Sequence, residues 1–115
     1  MYYYRRKTTK YGNRKSVADG ISFDSKHERD IYLKLKTAEK CGTIRDLQLQ
    51  VPFVLQDKYT INGKTIRAIK YIADFTFINE QGQLEVWDAK GIKTDVYKLK
   101  KKIFEYKYGT EIHEV

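Results

Sequence analysis

The sequence predicts a mixed α/β protein: a sheet of three or four strands with helices packed against it, in one domain spanning 16–115. Three observations predict it. Two apolar runs rich in β-branched and aromatic residues, within Ile69–Phe77 and Leu84–Ala89, flank a turn at Asn79-Glu80-Gln81-Gly82. Two other segments carry apolar residues at helical spacing between capping signals. A chain of 115 residues is long enough for one modest core.

Residues 1–15 hold Arg5, Arg6, Lys7, Lys10, Arg14 and Lys15 with no acid, and read as a basic, weakly ordered arm. Asp19-Gly20 is a turn, and Ile21 and Phe23 alternate after it as a short strand or extended lead-in. Ser25-Lys26-His27-Glu28 is a capping box opening a helix over 25–41. Ile31, Leu35 and Ala38 form its apolar stripe, and Gly42 stops it. Leu47, Leu49 and Val51 alternate against Gln48 and Gln50 in a strand over 44–56. Pro52 lacks a ladder donor, so an edge, bulge or break is expected there. Asn62-Gly63 is the strongest hairpin signal in the chain, and it returns a strand over 65–78. Leu84–Ala89 pairs antiparallel with that strand, and Gly91 breaks it. Thr94 or Asp95 caps a second helix to Tyr108, stopped by Gly109, with Val96, Leu99, Ile103 and Phe104 as its expected buried stripe. A short strand over 111–115 ends the chain.

The charge balance narrows the partner. Lys and Arg number 23 against 15 Asp and Glu, a net +8, which favours a polyanion: nucleic acid or an acidic membrane surface. The ten tyrosines favour nucleic acid, since they can stack on bases or bond phosphates. Their alternative role is to line strands. The single cysteine, Cys41, permits no internal disulfide and suits a reducing cytoplasm, where it reads as an inert small residue. The N-terminus lacks the apolar stretch of a signal peptide, and no run approaches the roughly 20 apolar residues of a membrane span.

The chemistry concentrates in Asp74, on the first apolar run, and in Asp88-Ala89-Lys90, at the end of the second. Alternation puts Asp88 and Lys90 on one side of their strand. If the two strands are neighbours, Asp74, Asp88 and Lys90 converge. Two carboxylates there suit Mg²⁺, with Mn²⁺ able to substitute, and the backbone carbonyl of Ala89 adds a neutral oxygen. Lys90 would position the attacking water or stabilise the charged transition state of phosphodiester hydrolysis. The plain alternative is a surface ion pair between Asp88 and Lys90, with Asp74 a strand-end polar residue; Asp-x-Lys is frequent by chance. Glu28 has two readings of equal standing: helix cap, or a third carboxylate turned towards the sheet on the face of Ile31 and Leu35. Lys93, Lys98, Lys101 and Lys102, with Arg5, Arg6, Lys10, Arg14 and Lys15 of the arm, are the candidate phosphate contacts, against a solvated helix face and a solubilising tail. Trp87 and Glu85 occupy the opposite strand face, for packing and solvation.

Glu28 on the first helix, Asp74 on a strand, Asp88-Ala89-Lys90 on its neighbour and a basic helix after it resemble the PD-(D/E)xK nuclease superfamily. The resemblance implies a restriction-endonuclease-like core, α-β-β-β-α-β, with Glu28, Asp74, Asp88 and Lys90 as the nuclease set. Ala73 stands where that superfamily usually has proline. Lys10–Lys15, Asp19–Glu28, Tyr71–Phe75, Asp88–Gly91 and Thr94–Tyr97 resemble a family of small phage and prophage proteins described as of unknown function or as similar to Holliday-junction resolvases. That resemblance implies a metal-dependent DNA endonuclease in the cytoplasm of a phage-bearing bacterial host; branched DNA is one candidate substrate, and the superfamily's restriction and repair enzymes leave the substrate structure open. A homodimer is expected with it, because two active sites can cut both strands of a junction. The rival expectation is a non-catalytic nucleic-acid-binding accessory of phage replication or packaging. A third is a basic accessory that binds mainly a protein partner, with weak DNA affinity little affected by salt.

Overall fold

The protein's computed structural model describes residues 15–89 and 92–115. The arm expected at 1–15 therefore lies outside the described residues, apart from Lys15, which is exposed.

A small hairpin of β1 (Ser16–Ala18) and β2 (Ile21–Phe23) leads into the fold. Its turn residues Asp19 and Gly20 have φ of 52° and 75°. Two positive φ values in a two-residue loop match the right-handed twist of paired strands. Ile21 and Phe23 are buried against the helix that follows, α1 (Lys26–Lys40). Ser25 caps α1, its side chain accepting from the Glu28 N–H, and Cys41 stands exposed at the C-cap. The Tyr32 hydroxyl donates to Asp19 Oδ2 at 2.8 Å, tying α1 to the hairpin turn. Burial, and then the Asp19 carboxylate, push that phenol up to about 12.

The central sheet has the order β3-β6-β7-β8, formed by β3 (Arg45–Gln56), β6 (Ile69–Ile78), β7 (Leu84–Asp88) and β8 (Ile112–Glu114). The first three strands are antiparallel, and β8 is parallel to β7. A parallel neighbour requires a crossover, which α2 (Asp95–Tyr108) provides. Thr94 caps α2, and Gly109 ends it in the left-handed conformation, φ 64°. The strand expected over 65–78 is two strands. β5 (Lys64–Ile66) pairs only with β4 (Tyr59–Ile61) in a separate ribbon, and β6 begins after Arg67-Ala68. β3 continues through Pro52, opposite Ile72, and lies at the sheet edge, where a missing ladder donor is tolerated.

Two apolar clusters cover the two faces. Ile31, Tyr32 and Leu35 of α1 pack with Phe75 and Phe77, while Tyr97 and Phe104 of α2 pack with Tyr71, Ala73 and Val86. Strict alternation would keep Tyr71, Ala73, Phe75 and Phe77 on one face. Instead the face changes between Ala73 and Phe75. On β3 the same change falls between Leu49, on the α1 side, and Phe53, on the α2 side. Gln50, with φ 53°, lies inside that interval, so its left-handed backbone shifts the phase of the pleat. Asp74 sits at the same level on β6. Around it Ile72 is exposed while Asp74 and Thr76 are buried, so the three do not share one environment as strict alternation would have them do.

The buried stripe of α2 also differs from expectation. Val96 and Leu99 are 64% and 60% exposed, whereas Tyr97 and Phe104 are buried and Ile103 is half-buried. Aromatic packing on the sheet selects the face: Phe104 lies 5.0 Å from Phe53 and 5.3 Å from Tyr71, centroid to centroid. No helix among the described residues is long and apolar enough to cross a membrane.

Candidate active site

Pairing of β6 with β7 sets Phe75 opposite Trp87, so the next step of the same register sets Asp74 opposite Asp88. Both side chains are inside the protein, Asp74 8% and Asp88 0% exposed. Asp74 Oδ2 accepts from the Ala89 N–H at 2.9 Å, so its carboxylate lies over the chain as it leaves Asp88. On the α2 side, the Tyr71 hydroxyl donates to Asp88 Oδ2 at 2.6 Å. Burial raises the Tyr71 phenol far above its ordinary range, followed by the charge of Asp88 and, more weakly, Tyr97 and Asp74. Tyr71 therefore remains a hydrogen-bond donor at any working pH, and fixes one oxygen of Asp88.

Glu28 reaches the same place from α1. Its N–H serves the Ser25 cap, but its carboxylate is buried and faces β3. There Gln50 Nε2 lies 3.4 Å from Glu28 Oε2 and 3.2 Å from Asp74 Oδ1. An ionised carboxylate only accepts, so the amide nitrogen must be the atom that faces both. One amide thus joins the helix carboxylate to the strand carboxylate. The two readings of Glu28 are compatible: its backbone caps the helix while its side chain takes part in the polar cluster.

Neither Gln50 nor Tyr71 stood out in the sequence. Gln50 reads as the polar half of an alternating strand, and Tyr71 as one of ten tyrosines. Only the pairing of distant segments gives them their partners.

The basic candidates separate into different environments. Lys93 Nζ lies 3.1 Å from Glu114 Oε1, and Lys101 Nζ 3.3 Å from Glu114 Oε2. Tyr97 donates to Glu114 Oε2 at 2.8 Å. This hydrogen bond, then the two lysines, hold the Glu114 carboxyl down at about 2 against the opposing effect of burial. Tyr97 is buried on the α2 side, where its ring lies near that of Tyr71. Lys15, Lys98 and Lys102 are exposed. Lys90, Arg5, Arg6, Lys10 and Arg14 lie outside the described residues. Glu85 is engaged, not solvated: its carboxylate accepts from Asn79 at 2.8 Å and from the Trp87 indole at 2.9 Å.

Among the described residues no three His, Cys, Asp or Glu side chains close on one point to hold a metal ion. The chemistry of the donors suits a smaller demand. Mg²⁺ commonly takes one or two carboxylates and fills its octahedron with water and substrate oxygens. Asp74 and Asp88 offer hard anionic oxygens from adjacent strands, and Glu28 stands behind the Gln50 amide. Among the described residues the set does not form a three-carboxylate cage.

No curated protein and no solved structure matches the chain. A family match covers residues 8–114 and so includes both helices, every strand of the sheet, and Glu28, Gln50, Tyr71, Asp74 and Asp88. The chain belongs to that family, which is described as "Protein of unknown function (DUF1064)".

Proposed function

We propose that this protein is a metal-dependent DNA endonuclease in which Asp74 and Asp88 hold Mg²⁺, or Mn²⁺ in its place. The observation that carries the reading is the hydrogen bond from the Ala89 N–H to Asp74, at 2.9 Å, which brings one carboxylate against the strand end that bears the other. Leaving aside the two small hairpins, the elements run α1, β3, β6, β7, α2, β8. That order supports assignment to the restriction-endonuclease-like core of the PD-(D/E)xK superfamily.

The chain's own residues then divide the work. Tyr71 orients Asp88 from the α2 side. Gln50 holds Asp74 and Glu28 at a fixed separation, and Glu28 acts through that amide or through water. The backbone carbonyl of Ala89 is a further neutral oxygen at the same strand end. Lys90, beyond it, orients the attacking water or stabilises charge developing on the phosphate. A bound Mg²⁺ would neutralise phosphate charge and lower the pKa of its water. Lys98 and Lys102 of α2, together with the basic residues of 1–15, supply sequence-independent attraction for the DNA backbone.

The test is nicking of supercoiled plasmid with Mg²⁺ or Mn²⁺ by the wild type, Asp88→Ala and Lys90→Ala. Wild-type nicking that falls at least 100-fold in both variants is the expected outcome. Equal background in all three, with DNA binding intact, would leave a non-catalytic accessory of phage replication or packaging. A panel of four-way junctions, flaps and linear duplexes then decides whether branched DNA is the substrate. Light scattering decides whether the active species is the homodimer that junction cutting requires.

A further inference from the structure

The basic residues most available to a ligand are not those of α2 that face Glu114. Lys58, Arg67, Lys70 and Lys100 line an open cleft of about 840 Å³ at the root of the β4–β5 ribbon, with Asp57 as the one acid in its lining. Lys93 and Lys101 are committed to Glu114, and Lys36 to Glu39. None of the four cleft cations has an ion pair among the described residues. Four cations against one carboxylate around one concavity make a site for a polyanion.

The ribbon above the cleft is unusual in its own way. All six of its strand residues are exposed, including Tyr59, Ile61 and Ile66. A two-stranded ribbon is marginal alone in water and normally buries one face. Here both faces are open, and Asn62 and Gly63, with φ of 50° and 74°, give the tip a tight turn. A two-stranded ribbon is also the β element that enters the major groove of B-form DNA, where apolar side chains can meet thymine methyl groups. The cations at its root lie where flanking phosphates would pass.

The cleft and the carboxylates share two elements. Lys70 precedes Asp74 by four residues on β6, about 13 Å at the usual strand rise. Lys100 follows Tyr97 by one turn on α2. A duplex lying along β6 would advance about four base pairs over that distance.

We propose that the β4–β5 ribbon and the cleft at its root form a second duplex-DNA-binding element: Lys58, Arg67, Lys70 and Lys100 hold backbone phosphates, and the ribbon lies in the major groove. This deepens the nuclease reading by assigning where its substrate is held, and it is tested separately from cleavage. Fluorescence anisotropy of a labelled 20–30 base-pair duplex, in EDTA and across a salt series, would compare the full-length wild type with Lys58→Gln/Arg67→Gln/Lys70→Gln. Lys26→Gln/Lys34→Gln/Lys40→Gln on α1, also exposed, is the charge-matched control. Thermal unfolding checks that both triple variants fold.

The cleft variant is expected to bind at least tenfold more weakly than the control, and the slope of log K against log salt to fall by about 2–3 relative to wild type, one lost phosphate contact for each cation removed. Ile61→Ser/Ile66→Ser is expected to weaken binding to B-form DNA more than binding to an RNA duplex, whose major groove is too narrow to read. Cleft-variant affinity equal to that of the control would overturn the proposal. So would a ribbon variant that changes the mass by light scattering and leaves DNA affinity alone, because the ribbon would then belong to an interface between copies. Cleft-dependent binding without any nicking would keep this element and remove the nuclease. Nicking that survives in the cleft variant with unchanged affinity would do the reverse.

Discussion

Gln50 holds a left-handed backbone inside a β-strand and uses its side chain to join Glu28 to Asp74. Such a backbone costs a residue with a Cβ on the order of 1–2 kcal/mol, whereas glycine adopts it freely. Gln50→Gly should therefore be more stable than Gln50→Ala by about 0.5–1 kcal/mol, the reverse of the usual order in a strand. Urea unfolding of the two variants checks this. Both should lose nicking activity, because neither bridges the carboxylates. Tyr71 is the matching contact on the other side. Tyr71→Phe keeps the ring against Phe104 but withdraws a donor from a fully buried carboxylate. A loss of about 1–3 kcal/mol is expected, with a fall in cleavage rate larger than any change in DNA affinity. Unchanged stability together with unchanged cleavage would mean that Asp88 needs no positioning by Tyr71.

At the scale of elements, α2 and β8 are fastened by Glu114, which Tyr97, Lys93 and Lys101 all contact. The carboxyl is held at about 2, below its ordinary value of 4.5, so its charged form is favoured by folding. Its contribution is complete above about pH 4.5 and is lost as the pH falls through about 2. Glu114→Gln should leave a protein whose stability declines less between those limits, measured by urea midpoints at successive pH values. Further along α2, Tyr108 donates to the Val54 carbonyl of β3 at 2.7 Å, so the helix is held to the sheet at both ends. Between these points α2 presents Tyr97 and Phe104 inward and leaves Val96, Leu99 and Tyr106 exposed. Two apolar stripes compete on this helix, and the aromatic lining of the sheet chooses between them.

For the whole molecule, the sheet separates two apolar clusters that meet through β6. Phe75, on the α1 side, and Phe104, on the α2 side, are both fully buried. Each Phe→Ala change should cost about 3–5 kcal/mol. Because β6 contributes to both clusters, either variant should unfold in one transition seen equally by circular dichroism and by Trp87 fluorescence. Two separated transitions would show that the faces fold independently. Glu28, Gln50 and Asp74 meet where β3 and β6 change face, so these polar groups occupy the junction between the two cores.

The sequence by itself determined the two helices with their caps and the two carboxylate-bearing strands. Ser25, Thr94, Gly42 and Gly109 mark helix ends through local hydrogen bonding and φ, and Asp19-Gly20 and Asn62-Gly63 mark turns for the same local reason. Asp74 and Asp88 were legible because polar residues inside apolar strands are conspicuous, and Glu28 because it follows a cap at fixed spacing. The tertiary structure alone decided which amide lies between Glu28 and Asp74, which phenol holds Asp88, which stripe of α2 is buried, and that 64–66 leaves the main sheet for a ribbon with 59–61. Those outcomes depend on strand register and on the change of face at Gln50. Both are fixed by contacts between segments tens of residues apart, which local propensity and periodicity do not record.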